Sequence, residues 1–66
     1  MIGELVNELL KEKNMTQYRL HKKSGLSKSY ISELVSGKYQ NPSMKTLTKL
    51  SKGLGVSVAR LINDAS

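Results

Sequence analysis

Apolar residues return at intervals of three and four in several short stretches of the chain, the spacing of one face of an α-helix. Ile2, Leu5, Val6 and Leu9 form the first stripe, which Leu10 widens. Ile31, Leu34 and Val35 form another. Leu47, Leu50 and Leu54 form a third, with Met44 leading into it, and Val58, Leu61 and Ile62 follow Val56 in the last. No stretch alternates with period two over a useful length, so no strand is expected.

The helix starts carry a repeated local signal. Met15-Thr16 precedes Leu20, Leu26-Ser27 precedes Ile31, and Val56-Ser57 precedes Leu61. In each case the hydroxyl can cap the first turn by accepting from an orphan N–H. The flanking apolar pair then fits a hydrophobic staple. Ser43, with Leu47 four residues on, gives one more start, and Pro42 disfavours helix at Asn41. Gly25, Gly37 and Gly55 stand where a left-handed residue ends a helix, and Asn14 can do the same for the first segment. The expected fold is an all-α bundle of five short helices, at about 2–13, 17–24, 28–36, 44–53 and 58–64.

Residues 17 to 36 hold the central motif. A short helix from Gln17 to Ser24 meets a tight turn, Gly25-Leu26-Ser27, and a second helix runs from Lys28 to Ser36. A three-residue turn opened by Gly is the connection of a helix-turn-helix. Leu26 is expected to plug the turn into the core, and Ser27 to cap the second helix. With Ile31, Leu34 and Val35 facing inward, that helix shows Lys28, Ser29, Ser32 and Glu33 on its opposite face and first turn. Lys28 can donate to guanine O6 and N7, the serines can donate or accept, and Glu33 can accept from a cytosine amino group. Glu33 has an equal alternative, an ion pair with Lys28 or Lys38 or plain solvation on the helix surface.

Charge points the same way. The 66 residues carry a net charge of +6 with a single histidine and no cysteine. Glu4, Glu8 and Glu12 lie in the first twelve residues, whereas the segment from Lys13 to Arg60 holds ten basic residues and one acid, Glu33. A polyanionic partner explains such a bias. Without cysteine there is no disulfide framework or thiolate metal site. His21 alone is no metal site, and no metal or cofactor is expected. No apolar run reaches the length of a membrane span, and the N-terminus lacks the pattern of a secretory signal. A soluble cytoplasmic protein is the expectation.

The stretch Thr16-Gln17, Leu20, Ser24-Gly25-Leu26-Ser27, Tyr30-Ile31-Ser32, Leu34 and Gly37-Lys38 continues through Asn41-Pro42-Ser43, Leu47, Leu50, Leu54-Gly55-Val56-Ser57 and Leu61-Ile62. In this combined spacing the chain resembles the phage-repressor helix-turn-helix family, with Cro and cI repressors as members and a XRE-type, lambda-repressor-like bundle as its fold. The resemblance spans essentially residues 1–66, read as one DNA-binding domain, and it implies a transcription regulator, a repressor, reading double-stranded DNA. It implies that Gln17 bonds a phosphate at a helix N-terminus, and that Ser27, Lys28, Ser29, Ser32 and Glu33 fall where bases are read. Tyr30 falls at a packing or phosphate-contact position. Lys38, Tyr39, Gln40 and Asn41 fall in a loop along the DNA backbone, and Ser43 opens a helix whose N-terminus can also meet phosphate. The chain departs from the family at His21, where Ala is common, read as a packed or edge-exposed side chain near the helix crossing. It departs again at Val35 and Leu10, where the family often has an acid and a basic partner. An apolar pair there is compatible with binding.

One recognition helix covers too few base pairs for useful specificity, so a two-fold dimer on a palindromic operator is expected, weak in solution and tighter on DNA. Val56, Val58, Arg60 and Ile62 are the candidate interface. They cannot all face one small core, and the resembled family tends to dimerise near this end. No acid–base pair, activated nucleophile or phosphate loop points to an enzyme. The alternative is a protein-interaction module on the same fold, such as an antitoxin that binds a partner toxin. Past the fifth helix little sequence remains, so the chain either acts by concentration and partner alone or is one domain of something longer.

Overall fold

The computed structural model describes residues 1–65, and they form five helices: α1 (Ile2–Glu12), α2 (Gln17–Ser24), α3 (Lys28–Val35), α4 (Met44–Leu54) and α5 (Val58–Ala65). No strand occurs among the described residues. Every expected hydroxyl cap is made. The Oγ1 of Thr16 accepts from Arg19 N at 3.0 Å, and Ser27 Oγ accepts from Tyr30 N at 3.0 Å. Ser43 Oγ accepts from Thr46 N at 3.2 Å, and Ser57 Oγ from Arg60 N at 3.0 Å. Each bond pairs a first-turn N–H that the helix itself cannot satisfy.

The ends also follow the expected logic, within one residue. Asn14 is left-handed at φ 53°, and Met15 N reaches back to Leu10 O at 2.8 Å. Gly37, at φ 96°, ends α3 in the same way: Lys38 N donates to Glu33 O at 3.0 Å and Gly37 N to Leu34 O at 3.1 Å. These paired bonds use carbonyls left over at the helix end, and the left-handed residue between them is where Gly has no Cβ penalty.

The core runs through all five helices. Val6, Leu9, Leu20, Ile31, Leu34, Leu50, Leu54 and Leu61 are fully buried. Around them, α2 packs on α4, α1 on α3 and α5, α2 on α3, and α4 on α5. Met15 and Val56, the staple residues, lie half-buried against this core, as do Val35 and Leu47. Met44 does not lead into the buried stripe of α4, for it is 60% exposed. It is the first residue of the helix, one turn short of the packed stretch. Of the apolar residues on α5, only Leu61 is fully buried; Val58 is half-buried and Ile62 is 46% exposed.

Two glycines inside helices set the closest approaches. A Cβ on Gly53 would stand 2.7 Å from Leu20 Cδ1 and 2.9 Å from Ser24 Cβ, so α4 presses directly on α2. A Cβ on Gly3 would stand 2.3 Å from Leu34 O, so the first turn of α1 rests on the end of α3. A methyl group at either site forces the helices apart.

Candidate nucleic-acid interface

The three residues between α2 and α3 are fixed from inside. Gly25 takes φ 80° and its N–H donates to His21 O at 3.1 Å. Leu26 then drops into the core, 9% exposed. Its two backbone groups are both met by side chains of α2. Leu26 N–H donates to Ser24 Oγ at 3.1 Å, in a buried bond, and Leu26 C=O accepts from His21 Nδ1–H. His21 is thus more than a packed or edge-exposed side chain. It is half-buried and tethers the turn to α2, with its ring 5.9 Å from that of Tyr18. Because buried backbone groups are costly to leave unpaired, this arrangement holds the angle between α2 and α3.

On that frame α3 turns its polar face outward. Ser27, Lys28, Ser29 and Ser32 are exposed, while Ile31 and Leu34 face the core. Gln17 is exposed in the first turn of α2, at a helix N-terminus, where an anion is favoured. The Lys28 ammonium lies 5.4 Å from the ring centroid of Tyr18, and that of Lys22 lies 5.9 Å from it. Tyr18, absent from the expected site residues, is 54% exposed on α2 and lies against Lys28 in the first turn of α3. Arg19, Lys22 and Lys23 join it as exposed cations on α2. The available signal was an aromatic one residue after Gln17 inside a basic, otherwise polar helix.

Glu33 has found one of its two expected partners. Its Oε2 accepts from Lys38 Nζ at 2.9 Å, and its Oε1 accepts from the Tyr39 hydroxyl at 3.0 Å. Lys28 is not involved. These two donors hold the Glu33 carboxyl below its ordinary range, and Glu33 in turn raises Lys38 and Tyr39 above theirs. The ring of Tyr39 stacks on that of Tyr30 with centroids 4.7 Å apart and planes 17° from parallel. Tyr30 therefore has a packing role in the free protein. Further along, Gln40 Nε2 donates to Gly37 O at 2.7 Å, Asn41 is exposed, and Ser43 is exposed at its cap.

Val56, Val58, Arg60 and Ile62 lie at the other helical end of the chain. Arg60 pairs with Asp64 at 3.2 Å, and Ile62 borders an open groove with Ile2, Pro42, Leu47 and Leu61. No group of three or more metal-ligating side chains occurs among the described residues, and no helix there is long and apolar enough to cross a membrane.

A helix-turn-helix family model matches residues 6–61. The chain belongs to the helix-turn-helix family. It is 39% identical over 64 residues to the transcriptional regulator SinR of Bacillus licheniformis, covering 97% of this chain and 58% of that protein. It is 32% identical over 63 residues to the immunity repressor of Bacillus phage phi105, covering 96% of this chain and 43% of the repressor. The chain thus spans about half the length of these relatives. Among solved structures, SinR in complex with DNA, described as the master regulator for biofilm formation, matches with a TM-score of 0.86 at 39% identity, over 94% of this chain and 98% of that one.

Proposed function

We propose that this helix-turn-helix chain is a sequence-specific double-stranded DNA-binding transcriptional regulator, acting as a repressor, that lays α3 in the major groove. The observation that carries this is the outward face of α3. Lys28, Ser29 and Ser32 stand exposed on a helix whose inner face is fully buried and whose angle to α2 is fixed by the Ser24 and His21 bonds. The likeness to SinR, whose structure was solved with DNA, supports the same reading.

In this reading Lys28, Ser29 and Ser32 reach base edges, and Ser27 joins them at the helix start. Gln17, Lys38, Gln40, Asn41 and Ser43 follow the phosphates, with the exposed cations of α2 adding attraction that carries no sequence information. The protein acts as a two-fold dimer, with Ile62, Val58 and Val56 covered by the partner copy and Arg60 at the rim. Half-site centres then lie about 34 Å apart. Selection of bound duplexes from a random pool tests the proposal. A palindromic motif with that spacing is the expected result; recovery of no motif refutes sequence-specific binding, and a single unpaired half-site refutes the dimer.

A further inference from the structure

The loop after α3 is held by side chains of α3 itself. Tyr30 and Glu33 are three residues apart, so they sit on one side of the helix. That side offers the loop an aromatic face and a carboxylate together. Tyr39 uses both, stacking on Tyr30 and donating its hydroxyl proton to Glu33 Oε1. Lys38 closes the arrangement on Oε2, with its ammonium 5.7 Å from the Tyr39 ring centroid. Both carboxylate oxygens are therefore engaged from the loop side.

The inventory of protons decides what these groups can do next. A phenol has one proton, and Tyr39 gives it to Glu33, so it has none to give a phosphate. An ammonium has three. Lys38 gives one to Glu33 and keeps two. Each Glu33 oxygen keeps a spare lone pair, but both oxygens are held by the loop, so reaching for a cytosine amino group would draw the carboxylate away from Lys38 and Tyr39. A bare carboxylate on this surface would also be repelled by phosphates, whereas the pair with Lys38 is neutral.

We propose that Glu33 is a positioning residue, which clasps the loop after α3 through Lys38 and Tyr39 and aims the remaining Lys38 protons at the DNA backbone, and that it does not read a base. This rests on the DNA-binding reading above. The clasp itself exists in the free protein, which makes the two separable by experiment.

Glu33→Ala, Tyr39→Phe and the double variant are compared with the wild type in two ways. Without DNA, NMR follows contacts between the Tyr30 and Tyr39 rings, and absorbance differences between each protein and its Tyr39→Phe counterpart follow the Tyr39 phenol. Glu33→Ala should lose the ring contacts and return the phenol to the ordinary tyrosine range, with helical circular dichroism intact. Ring contacts that persist in Glu33→Ala overturn the clasp. With DNA, affinity is measured across every single-base variant of the selected site. Glu33→Ala should weaken all of them by a similar factor, about three- to tenfold, as expected when an ordered loop becomes only partly populated. Tyr39→Phe should act in the same direction, and the double variant should add little to Glu33→Ala alone. Loss of preference at one base pair in Glu33→Ala, with Tyr39→Phe leaving that preference intact, makes Glu33 a base reader and overturns the proposal. A wild type that binds no duplex would remove the DNA reading, while the NMR arm still decides the clasp.

Discussion

Helix α3 is anchored at both ends by connections built on different physics. Ahead of α3, the turn at Gly25-Leu26-Ser27 is closed by a left-handed glycine, a buried leucine and two hydrogen bonds from α2. Behind it, the loop from Ser36 to Ser43 is held by an exposed ion pair, a phenol hydrogen bond and a ring stack. The Leu26–Ser24 bond is buried and joins neutral groups, and such a bond gains strength from the absence of water. Exposed charges are screened by water and salt and contribute little to folding. The first connection therefore belongs to the stability of the fold. The second belongs to local order, and can loosen while the fold stays intact.

The largest expected effect removes what both connections lean on. Leu34 is fully buried beneath α3, its carbonyl accepts from Gly37, and Gly3 of α1 rests against it. Leu34→Ala should cost roughly 2–5 kcal/mol, a large part of the stability of so short a chain. Thermal melting should show a heavy loss, and a midpoint within a degree or two of wild type would undo the helix phasing.

Next comes the turn alone. Ser24→Ala leaves the buried Leu26 N–H without its partner, at a cost of about 1–3 kcal/mol. Because that bond involves no charge, the loss should be the same at low and high salt in denaturant unfolding. A loss that shrank with salt would mean that charges hold the turn, and the contrast drawn above would fail.

The two connections were not equally legible in the sequence. Caps at Thr16, Ser27, Ser43 and Ser57, and the left-handed residues Asn14, Gly25, Gly37 and Gly55, are local signals, and all were placed within a residue. The contacts of Gly3 with α3 and of Gly53 with α2 join segments some thirty residues apart, and no local pattern announces them. The partner of Glu33 was open between Lys28 and Lys38, which are equally far along the chain. Helical geometry separates them. Five residues of helix turn a side chain about 140° away, which puts Lys28 on another side of α3, over Tyr18. Lys38 lies beyond Gly37, where the chain reverses and comes back along α3. The place of Tyr18 is not legible locally, because its exposure beside Lys28 depends on how α2 meets α3. The exposed face of α3 itself was readable, since it is the complement of the apolar stripe.

Smaller effects concern reading. If the rigid turn fixes Gln17 and Lys28 relative to each other, their losses should differ in kind. Lys28→Ala should relax preference at one base pair, at a cost of roughly 1–3 kcal/mol in binding. Gln17→Ala should weaken all sequences alike. Binding across single-base variants checks both, and an unchanged profile for Lys28→Ala would remove Lys28 from the base-reading set.

The smallest effect is the pH dependence of the loop. The Glu33 carboxyl is lowered chiefly by its hydrogen bond with Lys38 and then by that with Tyr39. Its contribution is thus present above the ordinary carboxylate range and is lost as pH falls through the lowered value. Lys38 and Tyr39 are both raised, chiefly by their hydrogen bonds with Glu33. Their contributions are present below the ordinary ammonium and phenol ranges and are lost as pH rises through the raised values. The clasp should therefore be closed and flat between about pH 6 and pH 9, opening in acid and again in strong alkali. The NMR contacts between the Tyr30 and Tyr39 rings should follow that plateau. The chain holds four further acids, Glu4, Glu8, Glu12 and Asp64, so the wild type alone does not isolate Glu33. Glu33→Gln keeps the shape of the side chain and removes its charge. The acid limb should vanish in that variant while the helices melt almost as before. An acid limb that survives the substitution would assign the opening to other carboxylates, and the loop would then be held by the ring stack rather than by charge.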